Sequence, residues 1–248
     1  MNTLSTILER AKGTIDMEAQ AIANLSELLT EDFARAVELI YHSKGRVIIT
    51  GIGKSAIIAN KIVATLNSTG TPAVFMHAAD AIHGDLGLIL EDDVVICISK
   101  SGNTPEIKVL VPLIKNAKNK MIAITGNPDS FLGQQADFVL NSYVAQEACP
   151  NNLAPTTSTT AQLVIGDALA VCLLHLRGFS SKDFAKYHPG GALGKRLYLR
   201  VNDLSSQNMK PQVSPDTVLK DVIVEITEKM LGVTAVVSKG DILGIITD

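Results

Sequence analysis

Apolar residues recur every three or four positions over the first 45 residues, which predicts two helices. In residues 3–28 these positions are Leu4, Ile7, Leu8, Ala11, Ile15, Ala19, Ile22 and Leu25. A second helix is predicted to begin at Glu31, with Thr30 as its N-cap, and to end at Lys44-Gly45. Its apolar face consists of Phe33, Val37 and Ile40.

From residue 46 the pattern changes to short apolar runs that alternate with helical patterns. The runs, which predict strands, cover residues 46–51, 73–76, 93–99, 120–126 and 138–141. The helical patterns cover residues 55–66, 104–117 and 159–176. Continuous apolar strands alternating with helices are typical of a parallel sheet with both faces covered. We therefore predict an α/β fold: a five-stranded parallel sheet flanked by helices, in the flavodoxin-like order 2-1-3-4-5.

The last part of the chain differs from the rest. Residues 204–217 are polar and contain proline, as in a linker. A helical pattern over 218–230 and strand-like runs at 234–238 and 242–247 follow, and the sequence stops directly after the second run. We predict one domain over residues 1–204, and a linker with an incomplete second unit over residues 205–248.

Composition and charge narrow the class of protein. Lys plus Arg is 22 and Asp plus Glu is 25, a net charge of −3, which argues against nucleic-acid binding through a basic surface. Neither a signal peptide nor a membrane span is expected from the apolar pattern. Cys97, Cys149 and Cys172 lie far apart without metal-type spacing, which predicts buried thiols, a reducing compartment and no metal site. A soluble cytoplasmic protein is expected.

The loop after the first predicted strand, Gly51-Ile52-Gly53-Lys54-Ser55, opens a helix. Glycines let backbone N–H groups approach an anion, and a helix N-terminus favours one. A P-loop would need glycine at the position of Ile48. A dinucleotide site would need an acid at the end of the second strand, where the first acid is Asp80. Taken alone, the loop therefore predicts either a phosphate site or merely a tight turn.

The loop after the third predicted strand also opens a helix and contains Ser99, Lys100, Ser101, Gly102 and Thr104. On its own it could be an ordinary N-cap. In the order 2-1-3-4-5, however, strands 1 and 3 flank the point where the chain reverses direction, and ligands bind at the carboxyl ends of strands there. Because both loops meet at that point, the sequence predicts a phosphate-binding crevice.

Five titratable residues lie in or near these segments, and each also has an ordinary structural interpretation. Glu106 could simply complement the helix dipole, and Glu147 could be a solvated loop acid. His83 and His188 could be structural, and Lys54 could be merely exposed. No Ser-His-Asp order, GxSxG turn or zinc spacing is present in the sequence.

Together, several segments make the chain resemble the D-arabinose 5-phosphate isomerase family of sugar isomerase (SIS) domain proteins. They are GIGKS, STGTPAVFMHAADAIHGDLG, SKSGNTPEI, EACPNNLAPTTSTTAQLVIGDALAV and HPGGALGKRL. SIS domains also occur in glucosamine-phosphate enzymes and sugar-sensing regulators, whereas the EACP and HPGGALG segments are more specific. The tail from about Met209 resembles the first part of a CBS motif, a module that usually follows in tandem.

The resemblance implies an activity and a partner set. The family interconverts D-arabinose 5-phosphate and D-ribulose 5-phosphate through an enediol, and the product supplies the synthesis of Kdo for lipopolysaccharide and capsules. It implies a homotetramer with active sites between subunits, so that His83 or His188 acts across an interface. A product of the Kdo pathway is a possible regulator. No cofactor, nucleic acid or membrane is implied.

Matching motifs carry the catalytic residues over as Lys54, Glu106, Glu147 and His188, with His83 as a further active-site histidine. Either glutamate is expected to be the base, with a pKa tuned towards working pH. Lys54 would stabilise the developing oxyanion, and His188 would open the ring or move a hydroxyl proton. The phosphate is expected at Gly53, Ser55, Ser99, Ser101 and Thr104.

One position departs from the family pattern. Family members often have a small or polar residue where Lys100 stands, so this lysine is expected to alter phosphate affinity mildly or to be neutral. Three alternatives to the isomerase remain: a non-catalytic phosphosugar sensor, another SIS isomerase or amino-sugar-phosphate lyase, and a nicotinamide-linked enzyme. The four catalytic-type residues favour an enzyme, because binding alone needs only the hydroxyl loops.

Overall fold

The computed structural model describes residues 3–191, 195–197, 200–205 and 209–248, with the side chains of residues 204 and 205 left out. By packing, the chain divides into two compact units, the first ending at His188 and the second beginning at Pro189. The division of the sequence into residues 1–204 and 205–248 stays a prediction. Three residues of the HPGGALG segment (192–194) and three of the predicted linker (206–208) lie outside the described residues.

The first unit contains a five-stranded parallel sheet in the order β2-β1-β3-β4-β5, as predicted. Its strands are β1 (Val47–Gly51), β2 (Ala73–His77), β3 (Val94–Ile98), β4 (Lys120–Thr125) and β5 (Phe138–Asn141). Its helices are α1 (Thr3–Asn24), α2 (Glu31–His42), α3 (Lys54–Ser68), α4 (Ala78–Ala81), α5 (Pro105–Asn116), α6 (Phe131–Gln135), α7 (Thr157–Leu176) and α8 (Ser181–Tyr187). Short 3₁₀ helices occupy Leu25–Leu28 and Asp85–Leu88.

Aliphatic cores cover both faces of this sheet, because strand side chains alternate between faces. Ile49 and Ile96 pack with α2, α3 and α7 on one face. Ile48 and Val95 pack with α5 and α6 on the other. The continuous apolar character of the strands therefore follows from burial on both sides.

Helix α7 is the central helix of the first core. Its apolar residues are not confined to one face, and it is the one helix among the described residues that is long and apolar enough to cross a membrane by length and composition. Gly166 in its middle faces Ile62 of α3, so closely that an added Cβ would lie 2.3 Å from the Ile62 side chain. Leu169 and Leu173 are fully buried in the same core. The length and composition of α7 also fit a helix in a protein core, because such helices are as apolar as membrane spans.

Helix α1 differs from the sequence prediction in its end and in its burial. The helical pattern over residues 3–28 corresponds to an α-helix that stops at Asn24, followed by the 3₁₀ turn. No residue of α1 is buried within the chain, and Leu4, Ile7, Leu8 and Ile15 are exposed. The helix contacts α7 through Glu18, which accepts a hydrogen bond from Thr160.

The second unit contains α9 (Val201–Ser205), α10 (Leu219–Lys229) and a three-stranded sheet in the order β6-β7-β8. The strands are β6 (Gln212–Val213), β7 (Val233–Ser238) and β8 (Asp241–Thr247), with β7 and β8 antiparallel. Helix α10 buries Val222 and Ile226. The helix and the two longer strands lie where the apolar pattern predicts them, and their assignment to a CBS motif stays a prediction.

Candidate active site

A cavity lies at the carboxyl ends of β1 and β3, the two central strands between which the strand order reverses. It has a volume of about 280 Å³. Its lining comes from the loops after β1 and β3 and from the start of α7: Ile52, Lys54, Ser55, Ile98, Ser99, Lys100, Ser101, Thr104, Pro155, Ser158, Thr159 and Gln162. Ligands of open parallel sheets bind at such a reversal point, so we call this the switch-point cavity.

The first loop of the cavity presents a lysine and a serine at the start of α3. Gly53 precedes the helix with φ +58° and ψ −129°, a conformation that residues with a Cβ rarely adopt. Ser55 donates a hydrogen bond to Oε1 of Gln162 at 3.1 Å. The ammonium of Lys54 is exposed, and no hydrogen bond or ion pair to it is found within the described part of the chain. It is thus available to a ligand.

The second loop is fixed by its own hydroxyl groups. Ser99 Oγ accepts a hydrogen bond from the Gly102 N–H at 3.1 Å and lies 3.3 Å from Thr104 Oγ1. Ser101 Oγ accepts from the Asn103 N–H at 3.2 Å. The loop leads directly into α5, whose N-terminus favours negative charge. We call Ser55, Ser99, Ser101 and Thr104 the hydroxyl cradle, because all four line the cavity.

Gly102 is required at the turn of this second loop. Its φ is +64°, and a Cβ added there would lie 1.9 Å from Ser130 Oγ. Ser130 is held in turn, because its hydroxyl accepts a hydrogen bond from Gly133 as the N-cap of α6. The loop therefore lies directly against the start of α6, and no larger residue fits at its turn.

Glu147 is the buried acid of the site. Its side chain is 0% exposed, and its Oε1 forms an ion pair with Lys100 Nζ at 2.6 Å. Its Oε2 accepts from the N–H groups of Thr156 at 2.8 Å and Ser158 at 3.1 Å, and from the Thr156 hydroxyl at 3.3 Å. The backbone N–H of Glu147 donates to Asn152 Oδ1 at 2.7 Å. The carboxylate therefore sits at the N-terminus of α7 with each oxygen satisfied.

These contacts lower the pKa of Glu147. Burial by itself raises it, but Lys100, Ser158 and the N–H groups at the start of α7 outweigh burial and bring the pKa from 4.5 to about 2. The expectation that the neighbours of this acid tune its pKa towards working pH is therefore wrong for the structure without ligand. A carboxylate with so low a proton affinity is a weak base.

Lys100 makes a contact that the sequence did not indicate, because it is the counterion of the buried acid. Its expected neutral or mild effect on phosphate affinity stays a prediction. The two residues are 47 positions apart, and no local pattern links them. Gln162 was also missed, although it stands one helical turn beyond Ser158 and shares its face of α7.

The other predicted residues do not line the cavity. Glu106 is half-buried in the first turn of α5, beside the cavity but outside its lining. His83 is exposed just beyond α4, at the same edge of the sheet, where β2 ends. Neither the lining of the cavity nor the contacts of Glu147 include these residues.

His188 lies at the other end of the sheet, near the amino ends of its strands. Its ring stacks on Phe184 with centroids 4.0 Å apart, and its Nδ1 is 3.1 Å from the Phe184 carbonyl oxygen. The adjacent Tyr187 and Phe179 pack near Gly70, which follows the end of α3. Because α3 begins at the cavity and runs about 1.5 Å per residue away from it, this end is remote from the cavity. Within one chain His188 cannot join Lys54.

The described residues contain no group of three or more His, Cys, Asp or Glu side chains that could hold a metal ion. The three cysteines are free; Cys97 is buried in β3, and Cys149 and Cys172 are half-buried. Burial raises the pKa of the Cys97 thiol to about 12. The groups that the cavity offers are the ammonium groups of Lys54 and Lys100, hydroxyls and helix N-termini, with the Glu147 carboxylate behind Lys100.

Known proteins are similar to this chain in both sequence and fold. The SIS domain family matches residues 39–172. An arabinose 5-phosphate isomerase, KdsD of Yersinia pestis, is 49% identical over 242 residues, which are 97% of this chain and 74% of that protein. Another, KpsF of Escherichia coli O6:H1, is 48% identical over 244 residues, 98% of this chain and 74% of that protein.

Solved structures with the same fold are also found. The c3406 protein of E. coli CFT073 in complex with arabinose 5-phosphate has a TM-score of 0.73 and 39% identity, and the match covers 76% of this chain and 100% of that one. The Vibrio vulnificus NanR protein complexed with ManNAc-6P has a TM-score of 0.60 at 15% identity, over 80% of this chain and 71% of that one, which shows a shared fold alone. The chain belongs to the arabinose 5-phosphate isomerase family of SIS-domain proteins.

Proposed function

We propose that this protein interconverts D-arabinose 5-phosphate and D-ribulose 5-phosphate through an enediol intermediate. The single observation that carries the proposal is the junction of three groups at the switch-point cavity. These are the free Lys54, the hydroxyl cradle and the buried Glu147 behind Lys100. A phosphosugar sensor needs the cradle but has no use for a buried carboxylate beside it.

The phosphate group of the substrate binds in the hydroxyl cradle. Ser55 and Thr104 stand at the starts of α3 and α5, where N–H groups and the helix dipoles favour a dianion. Ser99 and Ser101 already have fixed geometry through their hydrogen bonds to the second loop. Phosphate binding therefore requires little rearrangement of the loops.

Glu147 takes the proton from C2 of the open-chain aldose and returns it to C1. The electrons of the broken C2–H bond form the C1–C2 double bond, and the π electrons of the C1 carbonyl move to O1. When the proton returns to C1, O2 becomes the carbonyl oxygen, and the proton that O2 loses is the one that O1 gains. We assign this role to Glu147 rather than Glu106, because two groups that bind the Glu147 carboxylate, Lys100 and Ser158, line the cavity. Lys54 supplies positive charge for the enediolate oxygen. Loss of solvent-deuterium exchange at C2 in Glu147→Gln, with exchange retained in Glu106→Gln, tests this assignment.

The site is completed by a second subunit in this proposal. His188 is remote from Lys54 within the chain, so its role in ring opening or hydroxyl proton transfer requires a neighbouring copy. His83 is exposed just beyond α4, outside the lining of the cavity, and is available to a partner. The exposed apolar residues of α1 are also consistent with assembly. We propose that the protein is a homotetramer in the cytoplasm and that the arabinose 5-phosphate it forms supplies Kdo synthesis. We also propose that a product of that pathway regulates it.

The experiment is conversion of D-arabinose 5-phosphate to D-ribulose 5-phosphate by the purified protein, Lys54→Ala and Lys108→Ala. Lys108 is exposed on α5 outside the cavity and serves as the matched control. We expect Lys54→Ala to lose activity by about 10²- to 10³-fold, the usual effect of removing one oxyanion-stabilising group, and Lys108→Ala to keep it. A folded wild type that binds the sugar phosphate without turnover would instead be a sensor.

A further inference from the structure

We propose that Lys100 is a positioning residue that transfers its positive charge from Glu147 to the substrate phosphate, so that phosphate binding uncovers the base. The inference rests on the proposed function and on Glu147 as its base. It assigns a task to a residue that the catalytic set Lys54, Glu106, Glu147 and His188 does not include.

The two oxygens of Glu147 are held differently. Oε2 accepts three hydrogen bonds from Thr156 and Ser158 at the start of α7, so this oxygen is fixed by the fold. Among the described residues, Oε1 has one partner, the ammonium of Lys100. Oε1 is therefore the oxygen that can exchange its partner without loss of structure.

Lys100 stands between Glu147 and the cavity. Its side chain is 46% exposed and lines the cavity, whereas the Glu147 side chain is 0% exposed and does not. In this proposal a substrate carbon reaches Oε1 where the ammonium now lies, because Oε2 is held by Thr156 and Ser158. For Glu147 to take a proton from the substrate, Lys100 must move first.

The lysine can move while its loop stays in place. The carbonyl oxygen of Lys100 accepts a hydrogen bond from the Gly126 N–H at 3.0 Å, and the preceding residue donates to Ile124 O at 3.1 Å. These bonds fix the backbone beside β4. The four-carbon side chain of a lysine carries its charge on rotatable bonds, so the ammonium can swing over a few ångströms.

The hydroxyl cradle supplies the destination. Lys100 lies between Ser99 and Ser101 in the chain, and all three line the same cavity as Ser55 and Thr104. A phosphate dianion held there is a stronger partner for an ammonium than one carboxylate oxygen, because it offers more charge and more acceptors. Exchange of partners keeps Lys100 paired in both states, while Glu147 loses its nearest positive charge.

The charged and polar groups around Glu147 come from each element packed against it. The β3 loop contributes Lys100, and the start of α7 contributes Thr156 and Ser158. Its own loop contributes Asn152 and Cys149. Glu18 of helix α1 accepts a hydrogen bond from Thr160 in the first turn of α7, and Lys54 lines the switch-point cavity together with Lys100. Of these groups, Lys100 alone is a cation in direct contact with the carboxylate, so its departure raises the proton affinity of Glu147.

The first test reads Glu147 directly in the wild-type protein. Glutamate labelled with ¹³C at the carboxyl carbon gives a resonance for Glu147, assigned by its loss in Glu147→Gln. We expect the ionisation of Glu147 to lie below the accessible pH range without ligand. With saturating inorganic phosphate we expect at least about a tenfold increase in proton affinity, which brings it into range. An unchanged Glu147 ionisation, with phosphate binding verified by its ³¹P shift, would overturn the proposal.

The second test separates charge transfer from a structural role. In Lys100→Met we expect the proton affinity of Glu147 to be high already and to respond little to phosphate, whereas Lys100→Arg keeps the response. Kinetically, Lys100→Met should raise KM about tenfold with kcat within about threefold, and move the acid limb of kcat/KM to higher pH but not that of kcat. A large loss of kcat at unchanged KM would overturn the proposal.

These tests remain informative if the proposed function fails. The carboxyl resonance and the phosphate titration need no turnover, so they report the coupling in a sensor as well as in an enzyme. Lys108→Met is the matched control for loss of a lysine outside the cavity. Should Lys100→Met fold poorly because its buried acid has no counterion, the wild-type titration alone still decides the matter.

Discussion

A buried carboxylate such as Glu147 links the folding of this protein to pH. Its side chain is fully buried, and its charge is balanced by Lys100 and by the N-terminus of α7. Because the folded state lowers its pKa, this group stabilises the folded state fully above its ordinary value of 4.5. The stabilisation is lost as the pH falls from 4.5 towards 2.

We therefore expect Glu147→Gln to flatten the acid side of the stability profile. The wild type should lose about 2 kcal/mol from this residue on acidification, an amount reduced because Lys100 is half-exposed to solvent. Urea unfolding from about pH 6 to about pH 3 measures the difference between the two proteins. A parallel decline in both would show that Glu147 is not the group responsible. Glu106→Gln, in which only a half-buried acid is changed, is the control.

At this scale the sequence predicted residues whose role is local and missed those whose partner is distant. Lys54, Ser55, Ser99, Ser101 and Thr104 follow directly from the loops that end two strands, and all line the cavity. The pairing of Lys100 with Glu147 depends on where the 142–156 segment returns to the sheet, which no short pattern encodes. The low pKa of Glu147 follows from that pairing, so it was not predictable either.

At the scale of elements, the loop after β3 depends on close contact with the start of α6. Gly102 and Ser130 approach so closely that a methyl group between them has no room. The loop in turn holds three members of the hydroxyl cradle. The geometry of the phosphate site therefore depends on an element that contributes no residue to its lining.

We expect Gly102→Ala to weaken sugar phosphate binding at least about tenfold and to destabilise the protein by about 2–4 kcal/mol. Gly178→Ala is the matched control, because Gly178 has a similar φ of +59° but no atom within 4 Å of an added Cβ. Titration calorimetry and thermal unfolding of both variants separate backbone strain from the clash. Equal effects in the two variants would mean that contact with Ser130 is unimportant.

The strands were predicted within a residue or two because burial on both faces requires continuous apolar runs. Their ends were less predictable, since side-chain bonds decide them. Asp93 was assigned to the third strand, but its carboxylate turns back to the Leu90 N–H and binds Arg46, and β3 begins one residue later. The exposure of Ile7, Leu8 and Ile15 on α1 was not predictable, because helical spacing shows that a helix has an apolar face and not what covers that face.

At the scale of the whole molecule, Lys54 lies at the carboxyl ends of the sheet strands, and His188 lies at their amino ends. A site that uses both is therefore shared between copies. In an assembly with closed symmetry, each chain gives Lys54 to one site and His188 to another. Two inactive chains with different defects can then complement each other.

Mixing Lys54→Ala with His188→Ala should restore activity to about a quarter of the sites, because each intact site needs one unmodified contribution from each variant. The measurement is isomerase activity after the two proteins are dissociated together and reassembled. Lys54→Ala mixed with the Lys54→Ala/His188→Ala double variant gives the baseline, since no intact site can form. Activity no higher than this baseline would require both residues in one chain.

The thiols of Cys97 in β3 and Cys149 in the loop of Glu147 can report on two different motions of the molecule. Cys97 is enclosed in β3 and its thiol is held protonated, so an alkylating reagent reaches it only when the whole sheet opens. Cys149 lies two residues from Glu147, and backbone hydrogen bonds from Ala154, Leu153 and Asn151 lower the pKa of its thiol. The rate of modification at Cys97 thus measures global unfolding. The rate at Cys149 follows the smaller motions around the base, so a single labelling experiment distinguishes the stability of the fold from the dynamics of its site.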